Sequence, residues 1–118
     1  MAKNERKPMA FQNAADLGQW LASHHQSSSE LWVHIFKAGS GKRSVTWTDC
    51  VIEAIRFGWI DGQKQPLDAD SFLQRLTPRK PKSNWSAKNR AHAMQLIADG
   101  RMTPGVAADA VAALLQGR

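Results

Sequence analysis

The sequence has few of the residues that form disulfides and no long apolar segment that could enter a membrane. These shortages argue against a disulfide-rich secreted protein and against a membrane protein. Cys50 is the single cysteine among 118 residues, which excludes an internal disulfide and favours a reducing compartment. The N-terminus is basic and polar without an apolar segment, which argues against a secretory signal. No apolar run approaches the roughly 18 residues that a membrane span needs. We therefore expect a cytoplasmic protein.

Acidic residues are missing from one stretch, Arg75 to Arg90, which holds six of the 16 basic residues. The remaining 10 basic residues balance the 10 acidic ones, so the net charge of +6 belongs to this stretch. A localised positive charge indicates that the protein binds a negatively charged partner, whereas a diffuse positive charge mainly affects solubility. The sequence therefore predicts a basic face for an anionic partner.

The hydrophobic pattern predicts a single α+β domain over residues 11–118, preceded by a disordered tail over residues 1–10. About four helices are expected, with a small antiparallel sheet of three or more strands. The helices are predicted over residues 14–24, 47–57, 87–99 and 104–115, and the strands over 31–37, 59–65 and 71–77. Asn13 and Ser86 are suited to cap helices, and Thr46 with Asp49 fits a capping box.

Tyrosine is absent, whereas tryptophan occurs five times. Tryptophan often anchors a core or a binding surface, because it is large and has a polar edge. The helical and strand periodicities predict a core of Trp20, Trp47, Val51, Ile55, Trp59, Leu96, Ile97, Val111 and Leu114. We also expect Trp85 to be a core residue.

The basic stretch is the first candidate site. Pro78 and Pro81 favour an extended backbone before them, which would hold the neighbouring cations away from the body of the domain. The start of the following helix offers free N–H groups to an anion. The anion-binding candidates are Arg75, Arg79, Lys80, Lys82, Ser86, Lys88, Asn89 and Arg90. The opposing interpretation is that Arg79 pairs with an acid such as Asp61 and that the lysines are solvated.

A second candidate is the turn after the helix that ends near Gly58, within Phe57-Gly58-Trp59-Ile60-Asp61-Gly62. The structural interpretation is that Gly58 ends the helix, while Asp61 and Gly62 form a turn or a bulge. The alternative is a cleft between this turn and the Ser86 helix, with Asp61, Trp59 and Trp85 as its candidate residues. In an enzyme, Asp61 would act as acid or base and Arg79 as an oxyanion clamp.

Metal and cofactor sites are not predicted. The four histidines have no partners at ligand spacing, and Cys50 is isolated in the sequence. The segment around Gly41-Lys42 fails the phosphate-loop pattern, because Phe36 replaces the required glycine and Arg43 the required Ser or Thr. We expect neither a metal ion nor a cofactor.

The motif Phe57 to Gly62, the run Thr77 to Arg90, and Gly100-Arg101-Met102-Thr103-Pro104-Gly105 occur in an order that resembles the bacterial YdeI/OmpD-associated (OmdA-like) proteins, also described as bacteriocin-protection proteins. Leu31-Trp32-Val33 and Lys37 fit the earlier part of that pattern. The resemblance covers roughly residues 11–118. It implies a role in stress or in tolerance of antimicrobial peptides and bacteriocins, and no established reaction.

Three functions stay open at this point. The favoured one is a non-enzymatic binding module whose basic surface recognises nucleic acid, a phosphorylated ligand or an acidic protein. The second is a small-molecule enzyme with its cleft near Asp61 and Arg79. The third is a structural N-terminal domain, because longer relatives continue into a further helical module that this sequence lacks.

Overall fold

The structure is a computed structural model that describes residues 8–79, 85–103, 106 and 111–112. Four strands and three complete α-helices lie along this part of the chain. In order they are β1 (Met9–Ala10), α1 (Ala14–His24), β2 (Leu31–Phe36), α2 (Trp47–Arg56), β3 (Trp59–Pro66), β4 (Ser71–Pro78) and α3 (Ala87–Ala98). The three predicted strands and the first three predicted helices are confirmed, with boundary differences of one residue. The α+β class is confirmed with them.

Local hydrogen bonds explain where the helices begin. The Asn13 side chain accepts from the N–H of Asp16 at 2.9 Å, and the Thr46 hydroxyl accepts from the N–H of Asp49 at 3.0 Å. The Asp49 carboxylate accepts from the Thr46 N–H in return, which completes the predicted capping box. Gly58 then ends α2 with a φ of 77°, a conformation that glycine adopts without steric cost.

The sheet is mixed, with strand order β1-β2-β4-β3. β4 pairs antiparallel with both β2 and β3, whereas β1 pairs parallel with β2. The prediction of an antiparallel sheet is therefore wrong at one edge, and the prediction of a disordered tail is wrong for Met9 and Ala10. These two residues join the sheet because they lie beside the open edge of β2, a non-local pairing that no local pattern signals.

Two hydrophobic clusters hold the helices in place. The first lies between one face of the sheet and helices α1 and α2, and its members include Leu17, Leu21, Val33, Cys50, Ala54, Trp59 and Leu76. The second joins α2 to α3 and to the segment after it, through Val51, Ile55, Trp85, Ala93, Leu96 and Met102. α3 is therefore packed against α2, and its first turn lies beside the start of α2.

The predicted core is confirmed at Val51, Ile55, Trp59, Leu96 and Trp85, whereas Trp20 and Ile97 are partly buried at its margins. It is wrong at two positions, since Trp47 and Val111 are each 41% exposed. Trp47 is the first residue of α2, so it extends past the elements that cover the rest of the helix. Val106, Val111 and Ala112 are helical. The remainder of the predicted fourth helix, with Leu114, lies outside the described residues.

Candidate functional site

A pocket of about 160 Å³ opens where the start of α2, the start of α3 and strand β3 meet. Its described lining comprises Trp47, Thr48, Val51, Asp61, Ser86, Lys88, Asn89 and His92. Three of the predicted anion-binding residues and the acid of the alternative cleft therefore share one pocket. It lies between Asp61 on β3 and the Ser86 helix, where the sequence predicted a cleft.

The first turn of α3 forms one wall of this pocket. The Ser86 hydroxyl accepts from the N–H of Asn89 at 3.1 Å, which fixes the cap and the direction of the turn. The earlier N–H groups of a helix have no carbonyl partner within the helix, and the aligned peptide dipoles make this end positive. Lys88 adds a full positive charge where the helix itself disfavours one. A negatively charged group in the pocket would relieve that conflict.

Trp47 forms the opposite wall and is the exposed aromatic group of the site. The Lys88 Nζ lies 5.5 Å from the centroid of the Trp47 ring. This cation–π contact spans the pocket from α3 to α2 and keeps a cation beside a flat, partly solvated ring. Such a pair suits a ligand that has both a negative charge and a planar body.

Asp61 reaches the pocket from β3. It pairs with Leu76 of β4, and residues directly opposite in an antiparallel pair share a face. Leu76 belongs to the first cluster, so Asp61 lies on the face of the sheet that the helices cover. The Asp61 carboxylate makes no side-chain hydrogen bond or ion pair within the described part of the chain. It is therefore an acceptor that a ligand in the pocket could use.

Arg79 lies close to the pocket but is held by the core. Its guanidinium stacks on Trp85, with 3.8 Å between the guanidinium carbon and the ring centroid. Burial lowers the pKa of Arg79 below its ordinary value, and the charge of Asp61 opposes that shift. Arg79 thus lies within electrostatic reach of Asp61.

The other candidates that the structure describes do not line this pocket. Arg75 is adjacent to Leu76 in β4, so it lies on the opposite face of the sheet, where its Nε contacts the Glu30 carboxylate at 2.7 Å. Trp59 is 1% exposed and packs in the core. Arg90 is half-buried on α3 and is not among the pocket's lining residues. Lys80 and Lys82 lie outside the described residues.

The sequence did not predict Trp47, Thr48 or His92 as site residues. His92 follows Lys88 by one helical turn, so it shares a face with Lys88, and this spacing was the available signal. Trp47 was assigned to the core because helical periodicity cannot tell whether a partner element extends to the first turn. Trp47 immediately follows the cap at Thr46, and this position indicated that it is the first residue of α2, where less of a side chain is buried.

Cys50 is buried beside this site and has no chemical part in it. Burial raises the pKa of its thiol to about 12, with smaller contributions from the carboxylates of Asp49, Asp61 and Glu53. A thiol of this kind stays protonated and is a poor nucleophile. Within the described residues, no three side chains of the His, Cys, Asp and Glu types come together as a metal site.

The helices that the structure describes include none that is long and apolar enough to cross a membrane. Comparison with known proteins finds no match among curated proteins and none among solved structures. A family model does match, over residues 9–109, which includes every element described above. The chain therefore belongs to the family described as Domain of unknown function (DUF8412).

Proposed function

We propose that this protein is a binding module that receives a phosphate-bearing planar group, a nucleotide or one nucleotide of a nucleic acid, in the pocket between α2 and α3. The observation that carries the proposal is the position of Lys88, which lies over the Trp47 ring at the capped start of α3. The positive helix end and Lys88 favour phosphate, and the exposed ring favours a base.

The pocket contains groups that would orient such a ligand. Ser86, Thr48 and Asn89 can donate hydrogen bonds, whereas Asp61 can only accept them when ionised. A carboxylate of an acidic protein would meet the helix end but would bring no planar ring to the face of Trp47. A nucleotide brings both an anion and a base with donor groups, and it is therefore the partner class that fits this lining best.

The binding test uses Trp47→Ala and Lys88→Ala, with isothermal titration calorimetry against mononucleotides and inorganic phosphate. Trp47→Ala should weaken nucleotide binding by about tenfold, since a stacking contact is worth roughly 1–3 kcal/mol per base. Lys88→Ala should weaken it by a similar factor, since a charge-assisted contact with the phosphate is lost. Phosphate alone should lose affinity in Lys88→Ala and keep it in Trp47→Ala.

Arg75→Ala is the matched control, because it removes the same charge from the opposite face of the sheet, where Arg75 contacts Glu30. It should bind like the wild type. Equal losses in Arg75→Ala and Lys88→Ala would mean that overall charge, and not this pocket, attracts the ligand. No binding by the wild type at low salt would end the proposal.

A second candidate function is an enzyme that uses Asp61, because Asp61 and His92 line the same pocket and could serve as an acid/base pair. Arg79 is a weaker candidate for the clamp than the sequence predicted, since it stacks on Trp85. Turnover of a phosphoester substrate that Asp61→Asn abolishes, with nucleotide binding intact, would favour this enzyme.

The resemblance to the YdeI/OmpD-associated family stays a prediction. If it is correct, the nucleotide-bearing partner would be met during stress or exposure to antimicrobial peptides.

A further inference from the structure

A second cationic cavity, of about 430 Å³, opens at the far end of β3 from the pocket. Its described lining comprises Lys37, Lys64, Pro66, Ser71 and Phe72. The Lys64 Nζ lies 4.4 Å from the centroid of the Phe72 ring, so this cavity repeats the combination of a lysine with an aromatic ring. Two similar sites therefore lie along one strand.

A bulge in β3 brings the two sites to the same face. Asp61 pairs with Leu76 and Lys64 pairs with Gln74, so β3 takes three steps where β4 takes two. The extra residue puts Lys64, instead of Gln63, on the face of the sheet that holds Asp61. The buried Gln74 fixes this arrangement, because its Nε2 donates to the Gly62 carbonyl at 2.8 Å.

Lys37 comes to this cavity from the end of β2. Its backbone N–H donates to the Asp70 carbonyl at 2.8 Å, which holds the chain beside the loop between β3 and β4. The acids of that loop are not among the residues that line the cavity. The Asp68 carboxylate accepts instead from the Ser71 hydroxyl and from the Asp70 N–H. The lining is therefore cationic and aromatic.

We infer that the helix-side face of β3 is a track for single-stranded nucleic acid, with the pocket at α3 and the cavity at Lys37 and Lys64 as two contact points. The inference rests on the proposed function and adds a second site and a polymeric ligand. Asp61 and Pro66 are five residues apart, which corresponds to about 15 Å of strand. A few nucleotides span that distance, whereas a mononucleotide cannot occupy both sites.

Single strands suit this track better than duplex does. Trp47 offers an exposed ring and Phe72 a partly exposed one to unstacked bases, while Lys88, Lys64 and Lys37 can contact the backbone between them. In a duplex the bases are stacked on one another, so the rings would have no base faces to meet. The partner class is therefore an unpaired strand of about four nucleotides or more.

The test is the double variant Lys37→Ala/Lys64→Ala, measured by fluorescence anisotropy with a labelled oligonucleotide of about eight nucleotides. Oligonucleotide affinity should fall about tenfold, and the slope of log affinity against log salt should flatten by about one to two, because up to two phosphate contacts are lost. Mononucleotide affinity should not change. The control, Lys42→Ala/Arg43→Ala, removes two exposed cations that line neither site and should bind like the wild type.

The outcomes separate the two proposals. If mononucleotides bind and the Lys37→Ala/Lys64→Ala variant keeps full oligonucleotide affinity, the track is wrong while the pocket stands. If neither ligand binds the wild type, both are wrong. Equal affinity for duplex of the same length, or for polyglutamate of the same charge, would also overturn the single-strand assignment.

Discussion

Replacing Trp59 with alanine is expected to lower the free energy of unfolding by about 3–5 kcal/mol. The ring is 1% exposed and meets Trp20 edge-to-face at a centroid distance of 6.3 Å. Its Nε1 also donates to the His25 carbonyl at 3.3 Å, so the substitution removes a hydrogen bond that ties β3 to the end of α1. Urea denaturation followed by far-UV circular dichroism measures the change without relying on tryptophan fluorescence.

Trp47→Ala is the matched control for this prediction, because it makes the same chemical change at a ring that is 41% exposed. We expect a cost of about 1 kcal/mol or less, since the cost of truncation follows burial. Similar costs for the two variants would contradict the assignment of Trp59 to the core and Trp47 to the pocket. A stable Trp47→Ala variant also makes its loss of ligand interpretable as a loss of binding.

Gly18→Ala is expected to destabilise the fold by about 1–3 kcal/mol, because there is no room for a methyl group where α1 crosses α2. A Cβ at Gly18 would lie 2.6 Å from the Glu53 Oε1 and 3.3 Å from the Arg56 Nη1. Glu53 cannot easily move away. It is 2% exposed and is held by Arg56 at 2.5 Å and by Arg101 at 3.4 Å.

A double-mutant cycle with Glu53→Ala isolates this contact. In the Glu53→Ala background, Gly18→Ala should cost almost nothing or should stabilise, because alanine is favoured over glycine in a helix by about 1 kcal/mol. Gly39→Ala is the control, as its Cβ would meet open space. An equal cost of Gly18→Ala in both backgrounds would show that the close approach to Glu53 is not what requires glycine.

Local rules explain most of what the sequence predicted correctly. Asn13, Thr46 and Ser86 each cap a helix through a bond to a residue three positions later, so four residues suffice to locate a helix start. The aromatic and β-branched residues of the segment from Leu31 to Lys37 located a strand in a similar way. Gly58 and Gly100 have positive φ values where the sequence placed the ends of helices.

What the sequence could not predict depends on contacts between distant segments. The parallel pairing of Met9 with Val33 and the position of β4 between β2 and β3 follow from no local pattern.

The candidate site likewise combines features that the sequence predicted with features that depend on contacts between distant segments. The sequence placed Asp61 and the Ser86 helix on the two sides of one cleft only as an alternative, and the packing of α3 on α2 adds Lys88, Trp47 and His92 to it. That packing also leaves Trp47 exposed, because the first residue of α2 extends past the sheet.

A ¹H–¹⁵N correlation spectrum of the labelled protein during titration with a mononucleotide tests most directly whether the pocket between α2 and α3 binds a nucleotide. We expect the Trp47 indole N–H and the backbone amides of Ser86 to Asn89 to shift first and to saturate together. The signals of Trp59, in the core, and Arg75, on the opposite face, should stay unchanged. Saturable shifts centred on Arg75 and the opposite face of the sheet, or no shifts at low salt, would contradict binding in this pocket.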